Sequence, residues 1–229
     1  MLEFKNIQMA FDGNCILKNI NGLFDQSQLI AITGQNGVGK STLIRILAGL
    51  QRPSQGAIYF FNKDLYTLSE KRLAKLRTYI PSEPLCHWNL RVKDIISLGL
   101  INTKLSENKK MEKIYKIMKD LDLLEFKSRE INSMSSGEKA MVYLARAAVA
   151  NPDYIFADEL LSNLHIDNQH KIMRYLKHLT TLGQTIILVT HNVDIAKKYC
   201  DKIFNMDDEK ERDQKENYSS ISCGYSKVN

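Results

Sequence analysis

The stretch Gly34–Thr42 reads Gly-Gln-Asn-Gly-Val-Gly-Lys-Ser-Thr and fits G-x-x-x-x-G-K-[ST], the pattern of a phosphate-binding loop. Glycines in such a loop let backbone N–H groups close around phosphate oxygens, and the N-terminus of the following helix adds partial positive charge. Lys40 can reach the β- and γ-phosphates of a nucleotide, and the Ser41 hydroxyl can ligate Mg²⁺. The stretch predicts a site for a nucleoside triphosphate. Its candidate contacts are Gly34, Gln35, Asn36, Gly37, Val38, Gly39, Lys40, Ser41 and Thr42.

Three more candidate groups follow apolar runs of strand length. Asp158 and Glu159 end the run that starts at Tyr154, and His191 follows a second run that ends at Val189. A strand-terminal Asp can hold Mg²⁺ through its waters, the next carboxylate can polarise an attacking water, and a histidine can hydrogen-bond the γ-phosphate. Each residue alone is typical of an ordinary solvated turn or of structural packing. Together with the phosphate loop they predict hydrolysis, with Lys40, Glu159 and His191 as catalytic candidates.

The elements that must position these groups alternate between strands and helices. The run Leu29–Ile32 precedes the phosphate loop, and apolar residues between Leu43 and Leu50 recur at helical spacing until Pro53. Such alternation is typical of a parallel sheet covered on both faces. Ligands of these sheets bind at the carboxyl ends of the strands, where the loop, the two acids and the histidine all fall.

Other parts of the chain have a different character. Residues 1–30 are interpreted as short strands, and Val92–Leu100 and Lys110–Phe126 as helices. These helices favour an inserted helical subdomain at about 82–150. The polar tail 207–229 is expected to be poorly ordered.

The composition is that of an average folded protein: 229 residues, 44% hydrophobic, with a net charge of +6. The chain has no run of eighteen apolar residues, so no membrane span is expected. Four scattered cysteines favour reduced thiols inside a cell. The segment Lys104–Lys119 holds six lysines and two glutamates. We interpret it as a solvated helix face; a surface for anionic lipid or nucleic acid is the alternative, but the sequence shows no base-reading motif.

Over residues 1–206 these motifs resemble the ATP-binding subunit of an ABC transporter. The resemblance makes Phe11 the aromatic that stacks on the base, although the residues alone leave an ordinary core position open. It makes Asp158 the Mg²⁺-bearing carboxylate and His191 the switch histidine. Met134–Glu138 is similar to the family's signature loop, which closes over ATP held by a second subunit. The implied signature residues are Ser135, Ser136, Gly137 and Glu138.

The resemblance also implies the overall organisation. The fold class is α/β: a P-loop NTPase with a mostly parallel sheet core, an N-terminal antiparallel β subdomain and an inserted α-helical subdomain. The implied cofactors are ATP and Mg²⁺. The implied partners are membrane-spanning transporter subunits and a second nucleotide-binding subunit in a homodimer, without nucleic acid. The chain would then lie peripherally at the cytoplasmic face of a cell membrane.

Several positions depart from the family pattern. The coupling loop should carry a glutamine where Ser82 stands, followed by Glu83, and Ser136 replaces the first signature glycine. Leu160 and His165 replace the usual proline and aspartate after the catalytic carboxylate. Since the residues held within one subunit are nearly complete, the sequence predicts a working but slow ATPase. An apolar cluster around Trp88 is equally well explained by docking to a membrane subunit or by local packing.

Four functions remain open at this stage. Leu68–Pro81 and Val92–Gly99 are similar to importers of iron chelates, haem or cobalamin, which we favour. Ile32–Gly34 and Ile46–Pro53 also fit a haem-exporter ATPase. Ser82 and His165 would suit a subunit that binds nucleotide without hydrolysing it. A nucleic-acid-directed ATPase of this family is the least favoured, because such proteins carry two cassettes or a coiled-coil insertion.

Overall fold

The computed structural model describes residues 1–82 and 89–209. Its strands are β1 (Leu2–Phe11), β2 (Asn14–Phe24), β3 (Leu29–Thr33), β4 (Gln55–Phe60), β5 (Lys63–Asp64), β6 (Arg77–Ile80), β7 (Tyr154–Asp158), β8 (Thr185–Val189) and β9 (Lys202–Asn205). Its α-helices are α1 (Lys40–Leu47), α2 (Glu70–Leu76), α3 (Val92–Leu98), α4 (Glu107–Asp120), α5 (Ser136–Ala148), α6 (Ile166–Thr181) and α7 (Val193–Tyr199). Within these residues no helix has both the length and the apolar composition to cross a membrane.

A parallel sheet with the strand order β6-β7-β8-β3-β9 forms the centre of the fold. Every residue of β3, β7 and β8 is buried, as expected for strands covered on both faces. Alternate side chains of one strand enter different cores: Ile155 packs with the helices α3–α7, whereas Phe156 packs with α1 and the N-terminal sheet. The α/β prediction is confirmed.

An antiparallel sheet with the order β2-β1-β4-β5 covers one side of this core. The prediction of short N-terminal strands is wrong, since β1 has 10 residues and β2 has 11. They pair from Leu2 with Phe24 to Phe11 with Asn14. The two turn residues Asp12 and Gly13 both have positive φ, 47° and 81°. Such a turn matches the twist of the flanking strands, and the two strands pair along their length with register shifts between Phe4 and Ala10.

The described part of the segment between β6 and β7 contains the helices α3, α4 and α5. The helix predicted at Lys110–Phe126 instead runs from Glu107 to Asp120, and a separate 3₁₀ turn covers Leu124–Phe126. Asp122 has a φ of 56°, a left-handed conformation that interrupts the helix between them.

The structure describes only the first three residues of the predicted tail 207–229. Residues 206–209 form a helical turn after β9, and Asp207 of that turn contacts the phosphate loop. Residues 210–229 lie outside the described part of the chain. Glu83 and Trp88 lie outside the described residues as well. Leu90, which belongs to the apolar cluster around Trp88, is described and packs at the edge of the helical core.

Candidate nucleotide site

The phosphate loop joins the carboxyl end of β3 to the first turn of α1. Gly39 precedes the helix with a φ of 106°, which strains any residue with a Cβ. A Cβ there would also lie 2.7 Å from Cδ2 of Leu17, on β2. The backbone can thus turn tightly into α1 while packing against the N-terminal sheet. No side chain caps the amide groups at the start of α1, which suits a site for an anion.

Lys40 is the first residue of α1 and only 5% exposed. Its Nζ donates hydrogen bonds to the carbonyl oxygens of Gly34, at 2.9 Å, and of Gln35, at 2.8 Å. Burial lowers the pKa of the Lys40 ammonium, and the nearby carboxylates of Glu159, Asp207 and Asp158 act in the opposite direction. The carbonyl groups of the phosphate loop thus hold the Lys40 ammonium group within the loop.

Ser41 and Asp158 meet across the first turn of α1 and the end of β7. Ser41 Oγ donates to Asp158 Oδ1 at 2.9 Å, and Asp158 is completely buried. A hydroxyl and a carboxylate are hard oxygen donors of the kind Mg²⁺ prefers when it also keeps water and phosphate ligands. The pair therefore fits Mg²⁺.

Glu159 and His191, which follow the neighbouring strands β7 and β8, also contact each other. His191 Nε2 lies 2.8 Å from Glu159 Oε1, and Ser162 Oγ donates to Glu159 Oε2 at 3.3 Å. The backbone of Glu159 has a φ of 52°, a left-handed conformation that is unfavourable for a residue with a side chain. Residues held in such conformations cluster at functional sites, where the surrounding structure imposes them.

Ser82 lies two residues beyond β6, which is paired with β7. It lines a cavity of about 240 Å³ together with Glu159 and Ser136. The shorter side chain at the position of the family glutamine therefore faces the same space as the catalytic candidate. The neighbouring Glu83 lies outside the described residues.

The predicted signature loop forms the N-terminus of α5. Ser135 caps the helix: its Oγ accepts a hydrogen bond from the Glu138 amide, and Glu138 Oε2 accepts one from the Ser135 amide at 2.7 Å. That backbone hydrogen bond lowers the pKa of Glu138. Gly137 lies against α6: a Cβ there would lie 2.4 Å from Asn168 Nδ2, so the Asn168 side chain would have to move. Ser136 is exposed, so its own chain tolerates a side chain at this position.

Phe11 pairs with Asn14 at the end of the N-terminal hairpin and is 45% exposed. The alternative that Phe11 is an ordinary core residue is therefore wrong. Its exposed ring remains free to stack on a base.

Sequence reasoning missed three residues that contact this site. Tyr79 OH donates to Asp158 Oδ2 at 3.0 Å, and Arg45 lies beside both. Asp207 accepts a hydrogen bond from the backbone amide of Gln35 at 3.1 Å. Arg45 follows Lys40 by five positions on the same helix and offered a weak signal. Tyr79 and Asp207 offered none, because only folding brings them to the loop.

A second concave surface, which we call the basic groove, lies away from these residues. It has a volume of about 670 Å³, and its lining includes the exposed apolar side chains of Leu98 and Ile101. Its lining contains five cationic side chains and, among described residues, no carboxylate: Lys75, Arg77, Lys104, Lys113 and Arg146. The Nε atom of Arg77 is buried without a hydrogen-bond partner in the described structure. Burial lowers the pKa of its guanidinium.

A phosphate loop at the end of the parallel strand β3, with Asp158 and Glu159 at the end of β7 and His191 just after β8, defines the class of P-loop ATPases. The family model described as ABC transporter matches residues 17–162, more than half of the chain. The protein belongs to the ABC transporter family, as an ATP-binding cassette.

Known proteins of this family resemble the chain along most of its length. It is 30% identical to a methionine import ATP-binding protein of Clostridium acetobutylicum over 90% of its own length and 66% of that protein's, slightly less than two thirds. It is 28% identical to a petrobactin import ATP-binding protein of Bacillus subtilis, over 89% of its length and 82% of that protein's. The solved structure of cbiO1 from Clostridium perfringens, part of the ABC transporter complex cbiONQ, matches with a TM-score of 0.80. It is 31% identical, and the match covers 89% of this chain and 83% of that one.

Proposed function

We propose that this chain binds ATP with Mg²⁺ and hydrolyses it to drive a separately encoded membrane transporter. The observation that carries the proposal is the convergence of two contacts beside the phosphate loop. Ser41 meets Asp158 at 2.9 Å, and Glu159 meets His191 at 2.8 Å. A metal-binding pair and a base held by a histidine are the groups that hydrolysis of a triphosphate requires.

In this proposal Ser41 and Asp158 hold Mg²⁺, with Asp158 acting through water. When bound, Mg²⁺ neutralises charge on the β- and γ-phosphates. Lys40 supplies a second positive charge to the same phosphates, and the free amides at the start of α1 donate to their oxygens. ATP binding requires Lys40 Nζ to exchange its carbonyl partners in the loop for phosphate oxygens.

Glu159 is the proposed general base. Its Oε1 contacts His191, which restricts the rotation of the carboxylate, and its left-handed backbone aims the side chain out of the strand. The carboxylate would then accept a proton from the attacking water, and His191 would hydrogen-bond the γ-phosphate. The retained Glu–His pair supports hydrolysis over the alternative of a subunit that only binds nucleotide.

Two variants test the nucleotide site. Lys40→Ala removes the loop cation, so we expect ATP affinity to fall at least tenfold in an equilibrium titration. Glu159→Gln keeps the shape of the side chain but cannot accept a proton. We expect it to bind ATP normally, to lose phosphate release, and to accumulate as an ATP-bound dimer in size-exclusion chromatography with Mg-ATP. Normal turnover by Glu159→Gln would contradict the assignment of the base.

We further propose that the basic groove receives a segment of the membrane-spanning subunit that carries carboxylates beside apolar side chains. Charge complementarity supports this occupant, because the lining combines cations with the exposed side chains of Leu98 and Ile101. Lys104 and Lys113 have no ion pair or hydrogen bond within the described structure, so a partner's carboxylates would meet available charges.

Charge reversal tests the groove. We expect the double variant Lys104→Glu/Lys113→Glu to stop co-purifying with the co-expressed membrane subunit while it still binds ATP. The matched control is Lys109→Glu/Lys116→Glu, which makes the same charge change outside the groove lining. Equal retention of the membrane subunit by both double variants would contradict docking at this surface, and equal loss would indicate a general effect of charge.

For the cargo we propose an iron chelate, haem or cobalamin, taken up by an importer. The sequence similarity of Leu68–Pro81 and Val92–Gly99 to such importers supports the class, as does the petrobactin relative. The methionine relative supports import but a different cargo. Transport assays with the co-purified membrane subunit decide between them. Uptake of methionine without uptake of an iron chelate, haem or cobalamin would overturn the cargo proposal.

A further inference from the structure

The fully buried carboxylate of Asp158 is hydrogen-bonded on both sides. On one side Ser41 Oγ donates to Oδ1 at 2.9 Å, and on the other Tyr79 OH donates to Oδ2 at 3.0 Å. Arg45 lies behind the tyrosine: its Nε donates to Tyr79 OH at 3.4 Å, and its Nη2 is 3.8 Å from Asp158 Oδ2. Three separate elements, α1, β6 and β7, therefore converge on one side chain.

The direction of these hydrogen bonds follows from the groups involved. An ionised carboxylate only accepts and a guanidinium only donates, so the tyrosine oxygen accepts from Arg45 and its proton points at Asp158. The Tyr79 hydroxyl is therefore a donor to Oδ2, held in place by Arg45 on its other side.

A donor fixed on Oδ2 determines which oxygen faces Ser41. The terminal torsion of an aspartate is broad and roughly two-fold, so the carboxylate needs outside contacts to hold one orientation. With Oδ2 bound to Tyr79, Oδ1 stays turned toward the Ser41 hydroxyl. In the proposed function, that is the side on which Mg²⁺ binds.

We propose that Tyr79 is a positioning residue for the Mg²⁺ site, and that its hydroxyl orients the Asp158 carboxylate toward the metal. The inference rests on the proposed function of Ser41 and Asp158 as the residues that hold Mg²⁺. Partners of this kind, which contact a ligand rather than the metal, change metal affinity by about 10- to 100-fold when they are removed. Arg45 remains near Oδ2 without the tyrosine hydroxyl, so the lower end of that range applies.

The variant Tyr79→Phe tests the inference by removing one oxygen atom. The ring, which packs against the core around α1 and the N-terminal sheet, is retained. Tyr66→Phe is the matched control, because Tyr66 is also a partly buried tyrosine of the same core. Among the described residues its hydroxyl bonds only to the Gln51 carbonyl, at 3.4 Å. Thermal unfolding of both variants within a few degrees of the parent establishes that each one folds.

Metal binding is measured directly on the full chain, without reference to activity. Mn²⁺ is titrated by electron paramagnetic resonance in the presence of a saturating non-hydrolysable ATP analogue, and affinity for the analogue is measured separately in EDTA. We expect Tyr79→Phe to weaken Mn²⁺ binding about tenfold and to leave the affinity in EDTA within twofold. Tyr66→Phe should match the parent in both measurements.

Asp158→Asn separates failure of this inference from failure of the proposed site. If Asp158→Asn weakens Mn²⁺ binding and Tyr79→Phe does not, the positioning role of Tyr79 is overturned and the metal site stands. If neither variant changes Mn²⁺ binding, the assignment of the metal site itself is overturned. If Tyr79→Phe loses as much affinity for the analogue in EDTA as it loses for Mn²⁺, the substitution has a general effect on the nucleotide site. That result would also overturn the inference.

Discussion

Ser135 is expected to have two separable roles: its hydroxyl oxygen accepts one hydrogen bond, and its hydroxyl proton donates another. Its oxygen accepts a hydrogen bond from the Glu138 amide and so caps α5 within its own chain. That bond leaves the hydroxyl proton free to donate. In the proposed dimer, the signature loop would use this proton on a phosphate of ATP held by the second subunit.

Two substitutions separate these roles. Ser135→Ala removes acceptor and donor together. Loss of a serine cap costs about 1 kcal/mol of unfolding free energy, which lowers the melting temperature by about 2–4 °C in a domain of this size. Ser135→Asp keeps a capping oxygen and loses the donor, since an ionised carboxylate only accepts. The added carboxylate would lie near Glu138, and the partial positive charge at the start of α5 and the Arg129 guanidinium beside Glu138 offset that repulsion, so we expect stability within about 0.5 kcal/mol of the parent.

The two variants should differ in stability but lose the same amount of ATPase activity. Removing one donor to a charged transition state costs about a hundredfold in turnover, so both variants should release phosphate about that much more slowly. The assays are thermal unfolding and phosphate release, the latter at protein concentrations at which the parent dimerises. An active Ser135→Asp variant would refute the donor role, and an unchanged melting temperature for Ser135→Ala would refute the capping argument.

Three further predictions concern the phosphate loop and the cavity beside Glu159. Ser82→Gln should raise phosphate release at unchanged ATP affinity, because the longer amide side chain extends into the cavity that Glu159 lines. If Ser82→Gln changes nothing and Glu83→Ala slows phosphate release, then Glu83 fills the role of the family glutamine. Gly39→Ala should cost about 1–3 kcal/mol in unfolding free energy through its φ of 106° and its contact with Leu17; calorimetry that finds full stability would contradict this. Asp207→Asn keeps an acceptor for the Gln35 amide but removes a negative charge near the triphosphate. We expect ATP affinity to rise about twofold at low salt, and weaker binding would indicate that the charge itself orders the loop.

The sequence predicted the parts of the site that are contiguous in the chain. The phosphate loop lies between β3 and α1 as its motif required, because strand, glycine turn and helix are encoded by neighbouring residues. The apolar runs that became β7 and β8 also placed Asp158 and His191 at strand ends. The parallel sheet followed from the same alternation of strands and helices. These features depend on local periodicity, which one sequence is sufficient to show.

The tertiary structure decided which residues meet across the sheet. Tyr79 reaches Asp158 because β6 pairs with β7, and Asp207 reaches Gln35 because the chain returns beside β3 through β9. No local pattern records either contact, since strand order is set by how whole elements pack and not by the spacing of residues along one of them. The chemistry of the phosphate loop was therefore determined by the sequence alone. The orientation of the carboxylate that faces it was determined only when separate strands came together.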